Sequence, residues 1–455
     1  MKCIYLKKGK DESLRRFHPW VFSGAINHKD NGIEEGDTVR VITAEGEFIA
    51  AGHYQNGSIA VRVLTFDPDD IEEADDAKNA GVADNLGSKH SDVSRSGLKP
   101  DFWKKRIAEA AAMRRAIGLI RDDAPSTSDA VGSASDSIGK EVSVSSEKTD
   151  IDSCGRAGEC RRNSTFRLVH GEGDSLPGLI IDVYGPTAVM QAHSVGMHLA
   201  RKQIAEAVVE VMQGRVESVF YKSESTLSFV NPETGFLIGG SEDDTTIENG
   251  LRFHVDWLKG QKTGFFIDQR ENRALLERYA AGKKVLNMFC YTGGFSVYAM
   301  RGGATEVHSV DSSEKAIELT CRNIDLNFPG DARHKAFCDD AFKFLDGIGN
   351  DYDIIILDPP AFAKHRGAIH NAIKGYTRLN RKAFEKASSG TLIFTFSCSQ
   401  VITKDMFRNA VFTAAAQAKK RVRILHQLHQ PADHPINIYH PEGEYLKGLV
   451  LYVED

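Results

Sequence analysis

At 455 residues the chain exceeds what one hydrophobic core organises, so several domains are expected. With 41% hydrophobic and 26% charged residues, and no run of signal-peptide or membrane-span length, it reads as a soluble, cytoplasmic protein with no membrane partner. The net charge of −6 opposes a uniformly basic surface, yet residues 67–101 hold ten acidic and four basic side chains, so the remainder is neutral and can carry a local basic face. Seven cysteines, at 3, 154, 160, 290, 321, 338 and 398, make no C-x-x-C pair and no metal-spaced cluster, which predicts reduced thiols and no metal site.

Residues 1–66 read as a small β domain, with strands expected at 3–6, 37–43, 47–52 and 59–64 between Gly- and Asn-rich turns. Within it Arg15 and Arg16 precede the aromatics Phe17, Trp20 and Phe22. That stretch and the strand spacing resemble a PUA domain, an RNA-binding module; the likeness implies a compact barrel with Arg15, Arg16 and Trp20 at the RNA. Residues 67–100 lack apolar periodicity and read as an acidic flexible insertion. At 101–121 a helix is expected, apolar along Phe102, Ile107 and Ala110 and basic along Lys104, Lys105, Arg106, Arg114 and Arg115, which offers a second grip on RNA. The Ser-rich stretch 122–165 reads as another flexible insertion. From 166 to 255, strands at 166–169, 178–183, 187–192, 219–222 and 252–255 around a helix at 197–212 predict a small α+β domain that contributes to the substrate cleft.

Residues 256–455 have the pattern of a Rossmann-like α/β domain. An apolar strand at 285–289 runs into Thr292-Gly293-Gly294 and a helix beginning at Phe295. A second strand at 307–310 ends in Asp311, where an acid is expected to hold ribose hydroxyls. Cys338-Asp339-Asp340 closes a third, with Asp340 placed to accept from an adenine amino group. The aliphatic strand at 352–357 delivers Asp358-Pro359-Pro360 at its carboxyl end, where ligands bind in open parallel sheets. A further strand at 390–396 ends in Ser397-Cys398-Ser399, and a polar segment at 262–270 precedes the domain's first helix.

The order NMFCYTGGFSV, SVDSS, DDAFKFL, LDPPAF, TFSCS and ADHPINIYHPEGEYLKG behind a PUA-like domain resembles the ribosomal large subunit methyltransferase I family, over residues 2–66, 101–121 and 166–455. The resemblance implies a class I methyltransferase that uses S-adenosylmethionine to make 5-methylcytosine in large-subunit rRNA, and it is compatible with a homodimer. It implies a cofactor site at Phe289, Tyr291, Thr292, Gly293, Gly294, Asp311, Ser312, Asp340, Asp358 and Gln269. NAD ranks below S-adenosylmethionine because the glycine turn lacks the G-x-G-x-x-G spacing. The two insertions depart from the family, as does Ala361, which stands where the family usually has lysine after the prolines.

Cytosine C5 is a poor nucleophile, so a thiolate must first add to C6, and Cys398 is the expected thiol. Asp358 is the candidate to protonate or hydrogen-bond N3, while Glu442, ahead of His434 and His440, is the preferred base for the C5 proton. Cys290, in the cofactor turn, is expected only to pack. The alternatives are an rRNA methyltransferase for a guanine nitrogen or another base, a methyltransferase for a protein or small molecule, and a non-catalytic rRNA-binding assembly factor.

Overall fold

The computed structural model describes residues 1–72, 97–121, 163–227, 234–241 and 243–454. The N-terminal domain is a six-stranded sheet in the spatial order Trp20–Phe22, Ile59–Thr65, Phe48–Tyr54, Thr38–Ile42, Lys2–Leu6 and Ile26–Lys29. Alternation along these strands turns Ile4, Leu6, Val39, Val41, Val61 and Val63 inward onto one core, as period-two patterning requires. Trp20–Phe22 and Ile26–Lys29, three and four residues long, are too short to show that alternation and are not expected as strands from sequence.

The stretch after this domain is packed where it is described. A one-turn 3-10 helix, Pro68–Asp70, buries Asp70 under Lys105 and Arg106 at 2.7 and 3.1 Å, and Ile71 bridges to Leu98. Of the flexible insertions expected at 67–100 and 122–165, residues 73–96 and 122–162 lie outside the described residues, as do Cys154 and Cys160. The helix between them spans Phe102–Ala116 and packs Phe102, Trp103 and Ile107 into the core of the central domain. Its cations divide between exposed and buried positions, Lys104, Lys105 and Arg115 being exposed. Lys104 pairs with Glu210, Lys105 and Arg106 with Asp70, and Arg114 is fully buried on Asp174 and the carbonyl oxygens of Arg167 and Asp433.

The central domain is a five-stranded sheet, ordered Gly235–Ile238, Ser218–Tyr221, Thr187–Ala192, Leu179–Tyr184 and Thr165–His170, followed by the hairpin Thr245–Glu248 and Leu251–His254. The single helix expected at 197–212 is two, Val195–Leu199 and Arg201–Val211, joined at Ala200.

The C-terminal domain is a seven-stranded sheet, β1 (Lys284–Met288), β2 (Glu306–Asp311), β3 (His334–Cys338), β4 (Ile354–Leu357), β5 (Leu392–Ser397), β6 (Arg421–Leu428) and β7 (Lys447–Glu454). Their spatial order is 3-2-1-4-5-7-6, with β1 to β5 parallel and β7 antiparallel to both neighbours. Six helices accompany them: α1 (Arg270–Tyr279), α2 (Gly294–Arg301), α3 (Glu314–Asn327), α4 (Ala341–Gly347), α5 (Ile369–Lys386) and α6 (Lys404–Gln417). All four residues of β4 are fully buried, which is why that strand is an unbroken aliphatic run. Chain direction across the sheet reverses between β1 and β4, and a crevice opens there beyond the strands' carboxyl ends.

Buried ion pairs lock this domain to the central one. Both guanidinium NH groups of Arg270 on α1 meet the Asp433 carboxylate at 2.9 and 3.0 Å, and Asp433 also accepts from the Arg167 backbone amide. Arg273 holds Glu248 of the central hairpin through two bonds, at 2.9 and 2.7 Å. Such pairs are geometrically demanding, and each fixes one orientation of α1 against its neighbour.

Candidate active site

Beyond the ends of β1, β2, β4 and β5 lies a cavity of about 500 Å³, within the size range of small-molecule sites. One side is the turn after β1. Phe289 and Tyr291 there adopt left-handed backbone angles (φ 59° and 49°), which β-carbons disfavour, and Gly293 follows at φ 77° with Thr320 so near that a β-carbon would approach it to 2.7 Å. What keeps the turn in this shape is Asp311 at the end of β2, whose carboxylate accepts from the Tyr291 and Ser313 backbone amides. Phe289, Tyr291, Thr292, Gly294, Asp311 and Ser312 all line the cavity. Asp340 does not. It caps α4, taking the Phe342 and Lys343 amides on Oδ1, and is solvent-exposed.

The opposite side is built by the ends of β4 and β5. Asp358, Pro359, Pro360 and Cys398 face the cavity together, so the two strand ends singled out in the sequence meet in one place. Ser397 and Ser399 pin the β5 loop through Tyr376 and the Ala363 amide, and the buried Lys447 ammonium donates to the carbonyls of Ser399 and Ile402 at 2.5 and 2.6 Å. Burial lowers Lys447 to a pKa of about 8, with the neighbouring Cys398 acting in the other direction. Gln269, expected at the cofactor, donates to Asp358 Oδ2 at 3.0 Å and is itself oriented by Asn272.

The third wall comes from the segment before α1, with Lys262, Phe265, Phe266 and Asp268. Asp268 is a residue that sequence reasoning did not single out. It is 6% exposed; Oδ2 accepts from the Tyr445 hydroxyl at 2.7 Å, and Oδ1 is buried without a partner. No local pattern marks it, because the acid reaches the site only once α1 docks between two domains. Among the described residues the central domain contributes none to the lining and instead supports the loop, through Lys222 donating to the Gly260 carbonyl at 2.6 Å.

The electrostatics divide the two carboxylates. Desolvation and the charge of Asp268 push Asp358 up to about 7, against the hydrogen bond from Gln269. Burial also opposes the charge on Asp268, but Lys262, His434, the Tyr445 hydroxyl and Arg167 hold it below the ordinary value, so it stays ionised. Cys398 is raised to about 11 by burial and by Asp358 and Asp268, with Lys262 opposing. Cys290 is buried and raised further, in keeping with the packing role expected of it.

Three other sets of expected residues lie outside this cavity. Glu442 is exposed, bonded through its own carbonyl to Gln400, and does not line the cavity; nor do His434, buried beside Asp433, and His440, buried against Trp20. Trp20 offers no open face for RNA, because its indole N–H donates to Glu172 at 2.9 Å and His440 packs edge-on at 4.3 Å. Arg15 and Arg16 are exposed but lie on Asp11, Glu47 and Glu12. Among the described residues there is no cluster of side chains able to hold a metal ion, and no helix is long and apolar enough to cross a membrane.

Residues 212–441 match the S-adenosylmethionine-dependent methyltransferase family, and residues 4–66 match the PUA-like domain family. The chain is 33% identical to ribosomal RNA large subunit methyltransferase I of Tolumonas auensis, over 98% of both chains. It is 34% identical to the protein of that name from Shewanella denitrificans, over 99% of both. Two crystal structures cover the whole chain at a TM-score of 0.72 and 21% identity, one of a protein assigned as a methyltransferase and complexed with SAH, the other from Streptococcus mutans. The cavity suits S-adenosylmethionine by its own chemistry. It offers the Asp311 carboxylate for ribose hydroxyls, a backbone turn without side chains at Gly294, and the apolar surfaces of Phe266, Phe289 and Leu319.

Proposed function

The chain belongs to the ribosomal RNA large subunit methyltransferase I family, and from that premise we propose that it methylates C5 of a cytosine in large-subunit rRNA through a transient bond between Cys398 and C6. The observation that carries this reading is the meeting of Cys398 and Asp358 in one cavity with the cofactor turn. S-adenosylmethionine, when bound, supplies an electrophilic methyl group. The protein must make C5 nucleophilic, which requires adding sulfur to C6 and a proton to N3. A carboxylate with a pKa near 7, such as Asp358, can take the proton leaving the thiol and pass it to N3. Gln269 keeps Asp358 turned to the cavity. A base in a duplex cannot expose both ring carbons, so the target cytosine is unpaired or flipped out.

A methyltransferase acting on a ring or exocyclic nitrogen needs no thiol, which makes Cys398 the discriminating atom. Undermodified rRNA incubated with labelled cofactor and digested to nucleosides should carry label in 5-methylcytosine. Cys398→Ala should remove that label while leaving the fold and cofactor affinity intact, and serine should not restore it, its hydroxyl being far less ionised than a thiol. RNA bearing 5-fluorocytosine should trap the native protein covalently and not the alanine variant. Full activity in Cys398→Ala, or label in methylguanosine, would overturn the reading.

A further inference from the structure

The proposed chemistry leaves one proton unassigned. After methyl transfer, C5 carries both the methyl group and a hydrogen, and the ring stays bonded to sulfur until that hydrogen is removed. Glu442, His434 and His440 do not reach the cavity. Among the residues lining it, the carboxylates are Asp256, Asp268, Asp311 and Asp358. Asp311 holds the cofactor turn, and Asp256 is tied to Lys315 and the Lys259 amide at the far end of the loop. Asp358 belongs to N3 in the addition step. Asp268 remains, with an oxygen that has no hydrogen-bond partner among the described residues.

We propose that Asp268 is the catalytic base of the elimination step, receiving the C5 proton on Oδ1. The proton passes to the carboxylate, the C5–H electron pair forms the C5–C6 double bond, and the C6–S bond breaks with its pair returning to Cys398 as thiolate. The assignment rests on the Cys398 reading. Its geometry is that of a carboxylate fixed on one side by Tyr445, with its other oxygen buried and without a hydrogen-bond partner among the described residues, on a residue that lines the cavity with Asp358 and Cys398. Its environment supports the role: Asp358 and Asp268 share one low-dielectric space, and their surroundings push their proton affinities apart, up for Asp358 and down for Asp268, the pattern expected where one group carries a proton to the ring and the other stays ionised as a base.

The test uses the full chain, S-adenosylmethionine labelled in the methyl group, and undermodified rRNA, resolved under denaturing conditions. Asp268→Asn preserves the shape and can still accept from Tyr445. It should lower product release by about 100-fold or more, the usual worth of a positioned base, while a protein–RNA adduct bearing the labelled methyl accumulates on ordinary cytosine. A merely structural role would not produce that adduct. Asp268→Glu keeps a carboxylate and should give partial turnover with a shorter-lived adduct, an independent measure should the asparagine variant fold poorly. Near-native turnover in Asp268→Asn would overturn the assignment, as would loss of turnover with no adduct. 5-Fluorocytosine RNA separates the two readings. Trapping by both native protein and Asp268→Asn leaves the thiol mechanism standing whatever the fate of the base, whereas no trapping by native protein removes both.

Discussion

Adding Cys398 to a cytosine ring requires that Asp358 and Cys398 hold one proton between them, since with two the sulfur remains a thiol and the carboxyl has nothing to accept. Burial sets their affinities apart, at about 7 for Asp358 and about 11 for Cys398, so the second proton arrives as pH falls through about 7. The kcat/KM for RNA should therefore drop on the acid side by roughly tenfold per pH unit below that inflection, because this ratio reports groups of the free enzyme. Asp358→Asn should lose most of the rate and the inflection with it. A profile that stays flat from about pH 8 to about pH 5.5 would show that Asp358 does not share the proton. The sequence exposes Asp311, Asp358 and Cys398 because each ends a strand, and strand ends are where open parallel sheets bind ligands. Asp268 stays hidden because nothing in Phe266-Ile267-Asp268-Gln269 tells which side chain faces inward until Tyr445, far along the chain, bonds to it.

The loop at 430–446 decides how the wall containing Asp268 is held, and Asp433 is its anchor. Burial works against the Asp433 charge, yet Arg270 and His434 hold its pKa far below the ordinary range. A carboxylate depressed in this way stabilises the fold fully above its unfolded value of about 3.9, and that contribution is lost as pH falls below it. Asp433→Asn leaves the buried Arg270 with only the exposed Glu271 as an ion-pair partner and should destabilise the protein by about 3 to 5 kcal/mol at neutral pH. Chemical denaturation of both proteins at neutral and acid pH checks this: the difference should shrink below about pH 4, and a difference independent of pH would show that the pair is not the source. At this scale the five parallel strands are readable as apolar runs with polar punctuation. β6 and β7 are not, since β6 is an edge strand with five exposed positions of eight and no clean alternation, and β7 pairs with it. The same limit applies to Trp20–Phe22, a strand only through its pairing with Ile59–Thr65.

Over the whole molecule, the N-terminal barrel is joined to the catalytic domain by a polar and aromatic seam rather than by a linker alone. Glu172 of the central domain accepts from Trp20 and from Arg62, and its carbonyl takes Asn437 of the C-terminal loop, so one acidic residue touches all three domains. With Trp20 bonded to Glu172 and Arg114 of the helix at 102–116 fully buried, an RNA-facing role suits the cations still open to solvent. Arg15 and Arg16 are 54% and 71% exposed, and their partners Asp11, Glu12 and Glu47 lie on the same surface. Exposed pairs of this kind contribute little to stability, so phosphate can compete for the guanidinium groups at small cost. Beside them Phe17, Phe22 and Tyr439 are each about half exposed and bring the barrel and the C-terminal loop together at one face. Replacing Arg15 and Arg16 together with alanine should raise the half-saturating rRNA concentration. It should also flatten the dependence of log affinity on log salt by up to about 0.7 to 0.9 for each phosphate that is no longer neutralised. Cofactor affinity should stay unchanged, because neither arginine lines the cavity. If affinity and salt slope both match the native protein, Arg15 and Arg16 do not touch RNA, and the barrel's contribution to binding must lie with other residues or be confined to its seam with Glu172.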